Sequence, residues 1–270
     1  MKTRIVTAAI LLPVLFLVIW VLPTLIAAIL IGVMGAIAAY ELMVSAGFVR
    51  HKRLMLYCAG MAVLVSVWSH LGAESAWGTL GIILFVGLLF GEMMLDRVKV
   101  RFEKLCICLV AGLLIPYMLT ALVRILETYM GRYTIIIPFM MAFLPDSGAY
   151  FAGVYLGKHK LAPVISPNKT IEGALGGLLV GVAGMLLYAV IMDMAFDRVV
   201  SYPLALLYGF LGAGMDVFGD LMFSAIKRQS GIKDYGNLFP GHGGVLDRFD
   251  SLIMVAPLME VLLILLPVVK

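Results

Sequence analysis

Between Ser224 and Asp250 the chain gathers Lys227, Arg228, Lys233, Asp234, Gly241, His242, Gly243, Gly244, Asp247, Arg248 and Asp250, with apolar sequence on both sides. Carboxylates hold divalent cations, whereas Lys, Arg and Gly-rich backbone hold phosphate. Beside hydrocarbon-compatible sequence, such a cluster adds nothing to stability unless it binds something charged. Gly241, Gly243 and Gly244 let main-chain N–H groups face an anion without side-chain obstruction. His242 reads either as a loop hydrogen bonder or as a phosphate ligand. A zinc site does not fit, because the chain has 4 His, widely spread, and no Cys near this stretch.

Further acids lie upstream in apolar segments. Asp216 and Asp220 are one helical turn apart, and Ser224 and Lys227 continue the same face. An Asp at the centre of a membrane helix costs about 2.5–3.5 kcal/mol, and two stacked carboxylates repel. A divalent cation near Asp220 relieves both penalties. Asp216 has two readings, a protonated helix contact or part of the site. Asp146 follows Pro145 in a Pro-Asp-Ser-Gly step, which predicts a broken helix lining a cavity. Gly148, Ala149, Ala152 and Gly153 then permit close approach of another helix or a ligand. After that helix, Ser166-Pro-Asn-Lys169-Thr170-Ile-Glu172 resembles a helix start capped by Thr170 or Ser166. Lys169 beside its free N–H groups suits an anion, although a plain capped helix start explains the pattern equally well. Glu41, Glu92, Asp193 and Glu260 read as boundary or helix-contact residues.

The elements that must position these groups are membrane helices. Hydrophobic residues make up 63% and charged residues 13% of 270 residues, and mean hydropathy is +1.08. That composition indicates an all-α, polytopic integral membrane protein. A ruler of roughly 20 apolar residues marks nine transmembrane helices. They are expected at Ile5–Leu22, Leu25–Ala46, Leu54–Ser69, Trp77–Leu95, Leu105–Leu126, Thr134–Leu156, Ala174–Met194, Pro203–Ile226 and Ser251–Val269. With a cytoplasmic N-terminus, all but Arg124, Arg132, Arg198 and Lys270 of the 20 Lys and Arg fall on the inside. The first apolar segment resembles a signal sequence without a clear cleavage site and is read as a retained helix. Cys58, Cys106 and Cys108 lie in expected helices and read as small buried hydrophobes. The chain is expected to form one membrane domain. Residues 1–130 supply N-terminal helices, and 131–270 supply the catalytic helices with cytoplasmic loops 157–173 and 227–250.

The stretch Ser224-x-x-Lys227-Arg228-x4-Lys233-Asp234-x-Gly236-x2-Phe239-Pro240-Gly241-His242-Gly243-Gly244-x2-Asp247-Arg248-x-Asp250 resembles the signature of phosphatidate cytidylyltransferases (CDP-diacylglycerol synthases). Asp146-x-x-Ala149-Tyr150-x-x-Gly153 and Ser166-Pro167-x-Lys169-Thr170-x-Glu172-Gly173 resemble a second region of that family. Asp216 matches no position of the pattern. The resemblance implies that CTP and phosphatidate give CDP-diacylglycerol and pyrophosphate, with Mg²⁺ and room for a second cation.

On that reading Asp220 and Asp247 ligate the metal, with Asp146 as a third acid. Lys169, Lys227, Arg228 and Arg248 contact the triphosphate or the phosphatidate headgroup, and the Gly241–Gly244 backbone cradles phosphate with His242 donating. Ser166 and Ser224 orient ligands, and Asp234 positions Lys233 or the cytosine base. The expected partners are CTP, phosphatidate and the lipid bilayer; a homodimer is compatible with the sequence, and no nucleic-acid motif is present. The expected location is a bacterial inner membrane, with the site facing the cytoplasm. Two other classes stay open: a secondary transporter using Asp216 and Asp220 with a gate in the broken sixth helix, and a CTP- or ATP-dependent lipid kinase. No internal repeat supports the first, and product analysis separates the second.

Overall fold

The computed structural model describes residues 17–72, 76–95, 100–238 and 243–269. The chain divides into two compact units. The first comprises Met1–Glu127 and Gln229–Phe249, and the second Thr128–Arg228 and Asp250–Lys270. The loop 229–249 groups with the N-terminal helices.

In the first unit, α1 (Thr24–Tyr40) runs into a π-helical turn at Glu41–Ser45 and is followed by α2 (Lys52–Leu71) and α3 (Ala76–Leu95). The next span is assembled from α4 (Phe102–Leu109), a π-helical turn at Val110–Leu114, α5 (Ile115–Leu119) and α6 (Ala121–Leu126). Lipid tails are as apolar as the helices, so helix association here depends on close packing. Small residues supply it. A Cβ on Gly32 would sit 3.0 Å from Ser66 Cβ, and one on Gly112 would sit 2.8 Å from Cys58 Cα. Ser66 Oγ donates to Ala28 O at 2.5 Å across the same α1–α2 seam.

The second unit contains α7 (Gly131–Thr134), α8 (Ile136–Leu156), an antiparallel hairpin of β1 (Lys160–Ala162) and β2 (Ser166–Thr170), α9 (Ile171–Phe196) and α10 (Tyr202–Gln229). Most of α11 (Leu246–Leu265) completes it. Ile137, Met141, Met185, Tyr188, Tyr208 and Met259 belong to its core. Tyr208 satisfies its buried hydroxyl by donating to Leu266 O at 3.0 Å. Helices α8 and α9 meet along glycines: a Cβ on Gly176 would strike Ala152 Cβ, and one on Gly177 would lie 2.7 Å from Pro145 O.

One expectation changes. Pro145 does not break its helix, because α8 is continuous from Ile136 to Leu156 with Pro145 inside it. Proline removes its own N–H from the ladder and crowds the carbonyl one turn back, but here neither ends the helix. The close seat of α9 against Pro145 and Gly148 holds the remaining turns together. The count of nine spans is not reached among the described residues, which leave out most of the first candidate. Seven helical segments among them are long and apolar enough to cross a membrane. The first candidate, Ile5–Leu22, lies mostly outside the described residues. The ninth forms as α11, which carries Asp247, Arg248, Asp250 and Glu260 in its 20 residues and so lacks an apolar stretch of comparable length. The architecture is that of an all-α integral membrane protein.

Candidate active site

The polar groups of the second unit collect where β2 meets α9 and α10. Thr170 is extended and ends β2. Its Oγ1 accepts the Gly173 N–H at 3.1 Å and so caps α9. Of the two cap candidates, Thr170 is therefore the one used, and Ser166 opens β2 instead. Glu172 in the first turn accepts the N–H groups of Lys158 (3.1 Å) and His159 (3.2 Å), and pairs with His159 Nδ1 at 2.6 Å. Arg228 at the end of α10 donates from Nε to Ile165 O at 3.0 Å. The hairpin is thus tied at one end to α9 and at the other to α10.

This fastening places Lys169 beside Asp220. The two form an ion pair, with both side chains about three-quarters buried. Ser224, one turn along α10, donates to the other Asp220 oxygen at 3.2 Å. Burial alone would lower the Lys169 pKa. The Asp220 carboxylate, with smaller contributions from Asp146 and Asp216, more than offsets this and holds it above the ordinary lysine value. Lys169 is therefore an ammonium across the physiological range. Asp250 interacts electrostatically with Asp220, Lys227 and Asp146. Gly219 makes room for it, since a Cβ there would lie 3.0 Å from Ser251 Cα and 3.1 Å from Asp250 O. The expected residues Asp146, Lys169, Asp220, Ser224 and Lys227 thus belong to one charged neighbourhood. Ser166 is half-buried on β2.

Asp216 is the informative addition. It is 1% exposed, and neither carboxylate oxygen has a hydrogen-bond partner. Ser251 Oγ donates to the Asp216 main-chain oxygen instead, at 3.2 Å. A buried carboxylate without donors is costly unless a positive charge reaches it. Its four-residue spacing from Asp220 was the signal in the sequence. The donors in this neighbourhood are carboxylates and a hydroxyl, which suit a hard divalent cation such as magnesium. Among the described residues no ready-made group of three His, Cys, Asp or Glu ligands is present.

In the first unit, Asp247 shapes the glycine turn. Its Oδ2 accepts the Tyr235 N–H at 2.7 Å and the Gly244 N–H at 3.0 Å. Gly243 takes φ +87°, and a Cβ there would lie 2.9 Å from the same oxygen. The Gly244 N–H, expected to face phosphate, is directed to Asp247 in this structure. Glu41 accepts the N–H groups of Val245 (3.0 Å) and Leu246 (2.8 Å), where α11 begins. Glu41 is expected from sequence as a boundary or helix-contact residue, since nothing local links it to a partner 204 positions away. Lys233, Asp234 and Arg248 are exposed. Gly241 and His242 lie outside the described residues, as do Phe239 and Pro240.

Comparison with known proteins identifies the family. Residues 2–266 match the model of the Cytidylyltransferase family. A Staphylococcus epidermidis protein named phosphatidate cytidylyltransferase is 38% identical over 185 residues, which are 68% of each chain. Proteins of the same name from Staphylococcus haemolyticus and Staphylococcus aureus are 46% and 44% identical over 134 residues, half of each chain. A match over nearly the whole length, together with acids, lysines and a glycine turn set among apolar helices, places the chain in the cytidylyltransferase family.

Proposed function

We propose that the chain is a CTP:phosphatidate cytidylyltransferase. A phosphate oxygen of phosphatidate attacks the α-phosphorus of CTP. The bond between that phosphorus and the oxygen bridging to the β-phosphate breaks, pyrophosphate leaves, and CDP-diacylglycerol stays in the bilayer. The phosphate monoester is already largely dianionic near neutral pH, since its second pKa is about 6, so no general base is needed. The obstacle is repulsion between two polyanions, and the chain's own residues answer it with fixed positive charge.

The observation that carries this reading is the buried Lys169–Asp220 pair with Ser224 on its second oxygen and the unpartnered Asp216 nearby. Asp220 keeps Lys169 charged and aimed, so the ammonium meets an incoming phosphate without reorganising. Lys227 and Arg228 extend the positive charge along the end of α10. Asp220 and Asp146 would hold magnesium, with Asp216 beside them. When bound, the ion offsets charge building on the bridging and leaving oxygens. Asp247 organises Gly243–Gly244 at the start of α11, and the family pattern gives Asp247 to the metal and Arg248 to phosphate. The site faces the cytoplasm of a bacterial plasma membrane in this reading; inside placement of most Lys and Arg and the bacterial origin of the relatives support it.

The transporter alternative loses its gate, because α8 is continuous. Position-labelled CTP tests the transferase against the kinase. Label in the α-phosphate should move into the lipid fraction, and label in the γ-phosphate should leave as pyrophosphate. Transfer of γ-label to lipid would replace the proposal with a kinase.

A further inference from the structure

Glu41 ends α1 at a π-helical turn, where the Ala46 N–H reaches back to Glu41 O at 3.4 Å. Turns of this kind occur often at functional sites. Its carboxylate is 4% exposed and uses both oxygens, Oε1 for the Val245 N–H and Oε2 for the Leu246 N–H. These are free donors at the start of α11, where negative charge is favoured. The surrounding chain is shaped to admit the carboxylate. A Cβ on Gly236 would collide with Glu41 Oε1, and one on Gly244 would collide with both carboxylate oxygens. Gly236 and Gly244 therefore both lie against this one side chain. The next residues of α11 are Asp247 and Arg248, and Asp247 takes the neighbouring N–H groups of Gly244 and Tyr235.

We propose that Glu41 is a positioning residue for the transfer reaction: its carboxylate sets the main chain at Gly244–Leu246 and the first turn of α11, and so fixes where Asp247 and Arg248 point. An apolar side chain could fill the same volume, but it would leave the buried Val245 and Leu246 N–H groups without an acceptor, so the acid is what holds this stretch of main chain in place. Glutamine is a poor substitute. It offers one acceptor oxygen, and its NH₂ would face a main-chain donor. Aspartate keeps both oxygens on a shorter stem.

The inference rests on the reading that Asp247 and Arg248 serve the reaction. The experiment uses full-length protein in mixed micelles of detergent and phosphatidate and measures pyrophosphate release against CTP and lipid concentration. Wild type, Glu41→Gln, Glu41→Ala, Glu41→Asp and Asp247→Asn are compared, each with its thermal midpoint. Glu41→Gln and Glu41→Ala should fold and lose about 10- to 100-fold in kcat, with KM for both substrates within about twofold of wild type. Glu41→Asp should recover part of the lost kcat. A folded Glu41→Gln protein with wild-type kcat would overturn the inference. So would kcat losses that merely follow falling thermal midpoints, or a failure of every Glu41 variant to fold, since Glu41 would then serve stability alone. Wild-type turnover by Asp247→Asn would remove the reading of the site itself, which separates that failure from failure of the Glu41 assignment.

Discussion

Lys169 and Asp220 show how a charge buried inside the protein is kept useful. Neither is stable there alone, and removing one leaves the other buried without its counter-charge, a change that costs about 3–5 kcal/mol in comparable pairs. Lys169→Ala should therefore lower pyrophosphate release by about 100-fold or more, given the loss of a fixed phosphate donor. The pH dependence has a definite sign. The folded pKa of Lys169 is raised, so the contribution of the pair is complete below the unfolded lysine value of about 10.4 and is lost as pH rises from there through the higher folded value. The ratio of wild-type to Lys169→Ala rates should accordingly be the same at pH 7 and pH 9. A ratio that shrinks between them would show that Lys169 titrates in that range. Asp216→Asn should raise the magnesium concentration for half-maximal rate about tenfold and leave CTP saturation little changed. Lys169, Asp220 and Ser224 were legible in the sequence because their types, spacing and family pattern coincide. Glu41 was not, because a carboxylate that closes a contact over two hundred residues away leaves no local pattern.

At the scale of elements, the site depends on how tightly α8 and α9 approach. Gly176 and Gly177 face Ala152 and Pro145 with no space for a methyl group. Gly176→Val should lower the thermal midpoint in detergent by an amount equivalent to about 1–3 kcal/mol, because overpacking must push the helices apart. Gly87→Ala and Gly91→Ala should not, since nothing lies within 4 Å of a Cβ at either position. Equal effects at all these positions would mean that the α8–α9 seam is not tight. The Thr170 cap works at the same scale. Thr170→Ala should cost about 1 kcal/mol and loosen Lys169 beside it, whereas Thr170→Ser should retain the hydrogen bond to Gly173. Helix positions were readable from hydropathy to within a few residues. The continuity of α8 was not, because proline signals a lost hydrogen bond but carries no information about the neighbouring helix that compensates. The β1–β2 hairpin was hidden for a similar reason. Its strands are short and polar, and their pairing is set by contacts of Glu172 and Arg228 outside it.

For the whole molecule, composition alone was sufficient for the class, since no soluble chain of this length could hide so much apolar surface. The division into units was less readable. Residues 229–249 are adjacent in sequence to α10, yet they group with the N-terminal helices, where Glu41 accepts the main-chain donors of Val245 and Leu246. The charge bias makes a prediction about orientation. With native cysteines replaced, Lys160→Cys on the hairpin should react with a membrane-impermeant maleimide in inside-out vesicles and resist it in right-side-out vesicles. The opposite pattern would invert the topology and move the site away from cytoplasmic CTP.

The central claim is that buried lysine–carboxylate chemistry in this chain joins a lipid phosphate to CTP. Pyrophosphate release by the purified full-length protein tests it most directly, measured with CTP, phosphatidate and magnesium, with each omitted in turn, and with Asp220→Asn alongside. The account predicts release that needs all three components and falls at least about 100-fold in the folded variant. Release by wild type without phosphatidate, or undiminished release by folded Asp220→Asn, would contradict it.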